Sequence, residues 1–333
     1  MQLQFSFIIP VYNRPDEVQE LLQSFEALKT DMPYEIVIVE DGSTISSKEI
    51  VEQLKSKLNI SYYFKPNSGP GDSRNYGMLK ASGNYFIILD SDCILPNNYL
   101  EEVIKSLHTQ YVDCFGGPDA AHGSFSNIQK AINFAMTSFI STGGIRGNKK
   151  SVDEFQPRSF NMGISKDAFL ASKGFGVIHP GEDPDLSIRL KYLGFSIKLI
   201  PEAFVYHKRR ISWSKFYTQV HKFGLVRPIL NKWHPETKKV TYWFPTLFCL
   251  GFIMAFGLFL FNFKVLLMLY ILYFSIAFLL ALFSTKNVLV ALLSLFAIGI
   301  QFVGYGYGFL KSTIAVGVFN KVPEDHFPKL FFK

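Results

Sequence analysis

The chain has 333 residues, of which 48% are hydrophobic and only 18% charged, with a formal net charge of +7. Those averages hide a division that excludes one uniform soluble domain: charge is common up to about Lys239 and nearly absent from Tyr242 to Leu310, as expected of a soluble part followed by a membrane part. Cys93, Cys114 and Cys249 are odd in number and lack metal-ligand spacing, which speaks against a disulfide framework and fits a reducing cytosolic setting. The amino end, MQLQFSFIIPVYNRP, has no basic region followed by a long apolar run and a small-residue cleavage site, so no signal peptide is expected.

Strand and helix signals alternate over the first two hundred residues or so, the mark of a mostly parallel sheet covered by helices. FSFIIPV predicts a first strand and PDEVQELLQSFEAL a helix begun by Pro15 and Asp16. YEIVIVE is the second strand, SSKEIVEQLKSKL a helix and ISYYFK the third strand. SGPGDSRNYGMLKAS predicts a glycine-rich turn entering a helix, and YFIILD the fourth strand. NYLEEVIKSL is helical and VDCFGG a short strand. Between Asp119 and Phe155 the pattern is less regular, with a helix over FSNIQKAINFAMTSFI and a flexible STGGIRGNKKS expected to face an acceptor. The order is that of a nucleotide-binding α/β domain, with acids on the carboxyl edge of the strands.

Much of the excess of positive over negative charge lies between His207 and Lys239. Trp213, Phe216, Tyr217, Val220 and Phe223 share one face of a helix there. A basic amphipathic helix beside apolar spans is expected to lie in the lipid interface; a helix packed on the soluble domain and nucleic-acid binding are the competing readings, the last the weakest. Three apolar stretches follow, YWFPTLFCLGFIMAFGLFLF, VLLMLYILYFSIAFLLALF and NVLVALLSLFAIGIQFVGYGYGFL, each near the ~20 residues a spanning helix needs. Three complete spans would place the lysine-bearing tail opposite the soluble domain, against the positive-inside rule. Either one segment is re-entrant or the tail does not govern orientation. The run GYGYG, Gly304 to Gly308, suits close helix packing or a break.

Four patterns carry the chemistry. FIILDSDCILP ends a buried strand in Asp90 and Asp92; alternation along a strand would point both the same way, an arrangement that asks for a cation and a metal-bound phosphate. FIIPVYNRP stands at the amino end, EIVIVEDGST closes a strand with Glu40 and Asp41, and HPGEDPDLSIRLKYLGF carries Glu182, Asp183, Asp185 and Arg189. In this combination and order, from about Phe5 to His207, the sequence resembles a family 2 glycosyltransferase with a GT-A fold, membrane-anchored and similar to enzymes of exopolysaccharide and surface-glycan assembly.

The resemblance implies a GT-A catalytic domain over residues 1–207, and the charge and hydropathy pattern adds a basic interfacial segment over 208–240, two to three transmembrane helices over 241–311 and a tail over 312–333. It implies a nucleoside diphosphate-sugar donor and a divalent cation, Mg²⁺ or Mn²⁺. Asp92 would be the metal ligand, Asp90 would sit near ribose and metal, and His207 would complete the metal or diphosphate contacts, unless it only begins the basic run. Asp41 and Glu40 occupy the place where relatives hold the base, although many relatives have two aspartates there; a capped strand-to-helix turn would also explain them. Pro10, Tyr12, Asn13, Gly69, Gly71 and Asn161 fall where relatives approach the nucleotide or donor sugar. Arg74 would meet base or diphosphate, or else form a surface ion pair.

Asp183 would be the base that takes the acceptor hydroxyl proton in an inverting transfer, with Glu182 orienting it; helix capping is the other explanation of these acids. Asp185 and Arg189, four apart, suit a structural pair. Processive synthases of the family carry Gln-x-x-Arg-Trp after the catalytic acid, whereas QVHKFG (Gln219 to Gly224) lacks the tryptophan. Addition of one or a few sugars to a lipid-linked glycan at the cytosolic face of the inner membrane is therefore expected. Transfer directly to polyprenyl phosphate, or an inactive membrane scaffold of the same fold, are the alternatives. No G-x-G-x-x-G follows the first strand, which disfavours a dehydrogenase.

Overall fold

The structure is a computed structural model and describes residues 2–120, 125–143, 155–208 and 212–332. The STGGIRGNKKS loop, from its Gly144 onward, lies outside them. The chain forms two compact units, residues 1–122 with 145–208 and 331–333, and residues 123–144 with 209–330.

The first unit begins β1 (Phe5–Val11), α1 (Pro15–Glu26), β2 (Tyr34–Asp41), α2 (Lys48–Leu54), β3 (Ile60–Lys65), α3 (Pro70–Lys80) and β4 (Tyr85–Leu89). It continues β5 (Cys93–Ile94), α4 (Tyr99–Thr109), β6 (Cys114–Gly116) and β7 (Asp119–Ala120). After the segment that belongs to the second unit, β8 (Asn161–Ser165), α7 (Lys166–Ser172), α8 (Glu182–Tyr192), β9 (Ile197–Leu199) and β10 (Val205–His207) complete it. A seven-stranded sheet runs β3-β2-β1-β4-β8-β6-β9, and a small one runs β5-β10-β7. The pairs among β1 to β4 are parallel. The sequence pattern did not reveal β8, which runs antiparallel to both β4 and β6.

The central strands read as unbroken apolar runs because helices cover both faces. Alternation sorts their residues. Phe7, Ile9, Ile36, Ile38, Ile87 and Leu89 join the cluster that holds Val18, Leu21 and Leu22 of α1 and Leu100 and Val103 of α4. Ile8, Val37, Val39, Phe86 and Ile88 join Met78 of α3 and Leu186 and Leu190 of α8 on the other face. Pro10 is tolerated in a central strand because the β1–β4 ladder ends at Ile8↔Ile88, before the residue that lacks an N–H.

The second unit contains α5 (Asn127–Thr137), α6 (Phe139–Thr142), α9 (Trp213–Trp233), α10 (Phe244–Leu260), α11 (Val265–Thr285), α12 (Val288–Ser312) and α13 (Pro323–His326). A capping box of Ser126 and Gln129 starts α5. Three helical stretches, Val240–Leu260, Val265–Thr285 and Val288–Val318, are long and apolar enough to cross a membrane. The apolar face of α9 is turned onto α12 within this unit: Phe216 and Val220 are buried, and Trp213 meets Phe296 edge to face. Glycines set that approach. A Cβ on Gly304 would stand 2.6 Å from Val220, and one on Gly224 would stand 2.2 Å from the Tyr305 carbonyl. The GYGYG run therefore serves close packing, and α12 continues through it to Ser312.

Candidate active site

The carboxyl ends of the strands and the starts of α3 and α8 bring the expected residues together in the first unit. Arg74, on α3, is 3% exposed. It donates from Nη2 to Asp90 at 2.8 Å and from Nη1 to Glu182 at 3.1 Å, with its guanidinium over the Phe175 ring. It is thus an internal link between the two acidic motifs. Glu182 is buried and also contacts His179 Nδ1 at 2.8 Å. The neighbouring Asp183 is partly open to solvent, and its Oδ1 has no hydrogen-bond partner among the described residues. Asp185 pairs with Arg189 at 2.9 Å, the structural i,i+4 pair.

Burial pushes the Glu182 carboxyl up, but His179 and Arg74 outweigh it and hold it down at about 2. Burial and the adjacent Glu182 charge raise Asp183, with Arg74, Arg158 and the Ser159 hydroxyl opposing in part. Two carboxylates side by side are so driven apart: Glu182 stays ionised, and Asp183 gains the greater affinity for a proton.

Strand alternation does not carry past Leu89, because β4 ends there and a turn follows. Asp90 and Asp92 consequently take different partners. Asp92 Oδ1 lies 3.0 Å from His207 Nε2, and Asp119, on β7, lies 3.9 Å from His207 Nδ1. His207 stacks on Phe160 at 4.7 Å, and β10 aligns it with Cys93. Ligand atoms of Asp92, Cys93 and His207 all lie within 4.8 Å of one another. The Cys93 thiol donates to the Phe160 carbonyl at 3.3 Å, which leaves a carboxylate and an imidazole as the donor set. That set fits a divalent cation that takes its remaining ligands from phosphate oxygens and water.

At the end of β2, alternation separates the two acids. Asp41 accepts from the Gly69 amide at 2.9 Å, the Ser68 amide at 3.0 Å and Lys65 Nζ at 2.7 Å. It thereby shapes the turn into α3, where Gly69 has φ +94°, a conformation suited to glycine. Glu40 faces the other way, fully buried, accepting from the Ser47 amide at 2.9 Å and Tyr62 at 3.1 Å. Asn13 ties the loop after β1 to the 43–45 loop, its Oδ1 accepting from the amides of Thr44 and Ile45. Tyr12 is exposed. Gly71 lies against Gly176 and Phe175. Asn161 is buried and accepts from Tyr99 at 2.6 Å while donating to the Ala203 carbonyl at 2.8 Å.

His179, Asp119, Lys65 and Ser159 were not singled out by sequence reasoning. His179 stands three residues before Glu182 in HPGED, and that spacing was its only signal.

A mostly parallel sheet with the acid pair of α8 and the Asp–His cluster beyond β4 at its carboxyl edge has the architecture of a GT-A fold. Residues 6–170 match the family model described as Glycosyl transferase family 2. An uncharacterized glycosyltransferase of Rickettsia bellii is 37% identical over 116 residues, 32% of this chain and 16% of its own length. Poly(ribitol-phosphate) beta-N-acetylglucosaminyltransferase TarS of Staphylococcus aureus is 33% identical over 116 residues, 33% of this chain and 20% of its length. Succinoglycan biosynthesis protein ExoA of Rhizobium meliloti is 24% identical over 221 residues, 65% of this chain and 67% of its own. The matches to the first relatives thus cover only 16% to 20% of those proteins. Among solved structures, the mannosyltransferase PcManGT of Pyrobaculum calidifontis, in complex with GDP-Man and Mn²⁺, aligns with a TM-score of 0.52 at 12% identity, covering 99% of this chain and 79% of that one; it shares the fold.

Proposed function

We propose that this protein is an inverting glycosyltransferase that moves a sugar from a nucleoside diphosphate-sugar to a lipid-linked glycan acceptor at the cytosolic face of a membrane, in exopolysaccharide or surface-glycan synthesis. The observation that carries the reading is the Arg74 link between Asp90 and Glu182, with Asp183 beside it. It joins the motif expected to hold the donor to the motif expected to receive the acceptor. Names of relatives such as TarS and ExoA support surface-glycan and exopolysaccharide chemistry, and the GDP-Man complex of PcManGT supports a nucleotide-sugar donor.

In this reading Asp41 and the Gly69 turn receive the nucleotide. Asp183 removes the proton from the acceptor hydroxyl, whose oxygen forms the new bond to the anomeric carbon from the face opposite the diphosphate. The old anomeric carbon–oxygen bond breaks, and its electron pair leaves with the diphosphate. Glu182, fixed as an anion by His179 and Arg74, raises the proton affinity of Asp183. Asp92 and His207 would hold a divalent cation, which supplies Lewis-acid stabilisation of the leaving diphosphate.

Asp183→Asn tests the assignment. Nucleotide-sugar binding should stay within about twofold while transfer is lost, in keeping with removal of a general base. Normal turnover by the variant would remove Asp183 from the mechanism, and retention of anomeric configuration in the product would overturn the inverting course.

A further inference from the structure

The chain leaves the first unit after Lys208 and returns to it at Phe331. Phe331 forms an antiparallel bridge with Ile178, and the Phe332 amide donates to the Val177 carbonyl at 3.0 Å. This pairing engages the loop just ahead of α8, whose first turn carries Glu182 and Asp183. The Phe332 ring touches both sides of the candidate site. A Cβ on Gly69 would stand 2.3 Å from that ring, so the ring occupies a slot only glycine leaves open. Its centroid is also 5.9 Å from that of His179. Gly69 donates to Asp41, and His179 contacts Glu182.

We propose that Phe331 and Phe332 form a strap that completes the active site, with Phe332 a positioning residue that holds His179 against Glu182 and steadies the Gly69 turn. The proposal rests on the reading of Glu182 and Asp183 as the acceptor-side acids. The ring restricts the imidazole on one side and the turn that receives Asp41 on the other. Both ends of the Asp41–Gly69 and His179–Glu182 contacts therefore depend on a segment more than a hundred residues away in sequence.

A consequence concerns the membrane. The strap and the loop it pairs with must share one aqueous face, so the chain between Lys208 and Phe331 crosses an even number of times. The three apolar stretches are then not all complete spans. This resolves the conflict between three spans and the lysine-bearing tail.

The test uses the full-length detergent-purified chain. Phe332→Ala should speed deuterium uptake over residues 175–182, and unchanged uptake would overturn docking whatever the enzyme's activity. The same variant should lower kcat about tenfold, since small misplacements of acting groups carry such penalties, while the Kd for the bare nucleoside diphosphate moves less. Phe332→Tyr should restore most of the rate. Combined with His179→Ala, the Phe332→Ala loss should not multiply, because the two act through one contact; fully multiplicative losses would refute the positioning role. Phe332→Leu serves the same comparison where the alanine variant does not accumulate. In a Cys249→Ser background, Gln23→Cys on α1 and Lys329→Cys before the strap should be labelled by an impermeant thiol reagent from the same membrane face. Labelling from opposite faces would contradict the proposal. Deuterium uptake and labelling do not need turnover, so absence of glycosyl transfer would count against the proposed function and leave the strap to be judged on these two readouts.

Discussion

Arg74 holds Asp90 at 2.8 Å and Glu182 at 3.1 Å with one buried guanidinium, so the end of β4 and the start of α8 share a single cation. Burial would lower the Arg74 pKa, but Asp90, Glu182 and Asp183 outweigh it and keep the group charged. Arg74→Met should destabilise the protein by about 3–5 kcal/mol, the usual consequence of stranding buried partners of a lost charge. A shift in the denaturant midpoint measures this. Arg74→Lys should recover part of that stability and little of the activity, because an ammonium lacks the fork that reaches both carboxylates.

The carboxylate pair predicts a pH dependence with a definite sign. Asp183 is raised, so the acid limb of kcat/KM should lie above the ordinary aspartate range. Arg74 lowers it and Glu182 raises it. Arg74→Met should therefore move the limb to higher pH, and Glu182→Gln to lower pH. For stability the two acids act oppositely. Glu182 is depressed, so its contribution is present above the ordinary 4.5 and is lost as pH falls toward about 2. Asp183 favours its neutral form in the fold, so its contribution is present at low pH and is lost as pH rises from the ordinary aspartate value through the raised one. Denaturation curves of Glu182→Gln across the acid range should lose the first component.

Asp41 and Glu40 should separate cleanly. Asp41→Asn weakens the contacts to Gly69, Ser68 and Lys65 and should reduce nucleoside diphosphate affinity by about tenfold, on the scale of a lost charge-assisted hydrogen bond. Glu40→Gln acts on the opposite face of the sheet, at Ser47 and Tyr62. It should alter thermal stability and leave nucleotide binding unchanged, as calorimetric titration would show.

The Asp92–His207–Asp119 cluster makes a prediction about metal. His207→Ala should raise the Mn²⁺ concentration for half-maximal nucleoside diphosphate binding about tenfold to a hundredfold, and Asp119→Asn, which acts on His207 from behind, should fall at the lower end of the range known for such outer contacts. Mn²⁺ titration of nucleoside diphosphate binding checks both without turnover.

Much of this domain was legible because long apolar runs leave few options. FSFIIPV, YEIVIVE and YFIIL are strands since they are covered on both faces. The acids at their ends stood out against those runs. Asn161–Ser165 was missed as a strand because NMGIS has little β-branched content, and its pairing with β4 and β6 is set by the sheet. Alternation failed at Asp92 because a turn, invisible to a period-two pattern, begins after Leu89. The apolar face of α9 was legible, but its partner α12 was not, since amphipathicity names a face and never what covers it. The placement of Phe332 on Gly69 and His179 left no local mark at all, because the contact joins segments far apart in the chain.

The most direct measurement is nucleoside diphosphate release by the detergent-purified protein from a panel of nucleotide-sugars, with Mg²⁺, Mn²⁺ or chelator, beside Asp183→Asn and with membrane lipid extract as acceptor source. Release from one donor that needs metal and acceptor, and that disappears in Asp183→Asn, is the predicted result. Equal release by Asp183→Asn, or no release from any donor although the protein binds nucleoside diphosphate with metal, would contradict the account.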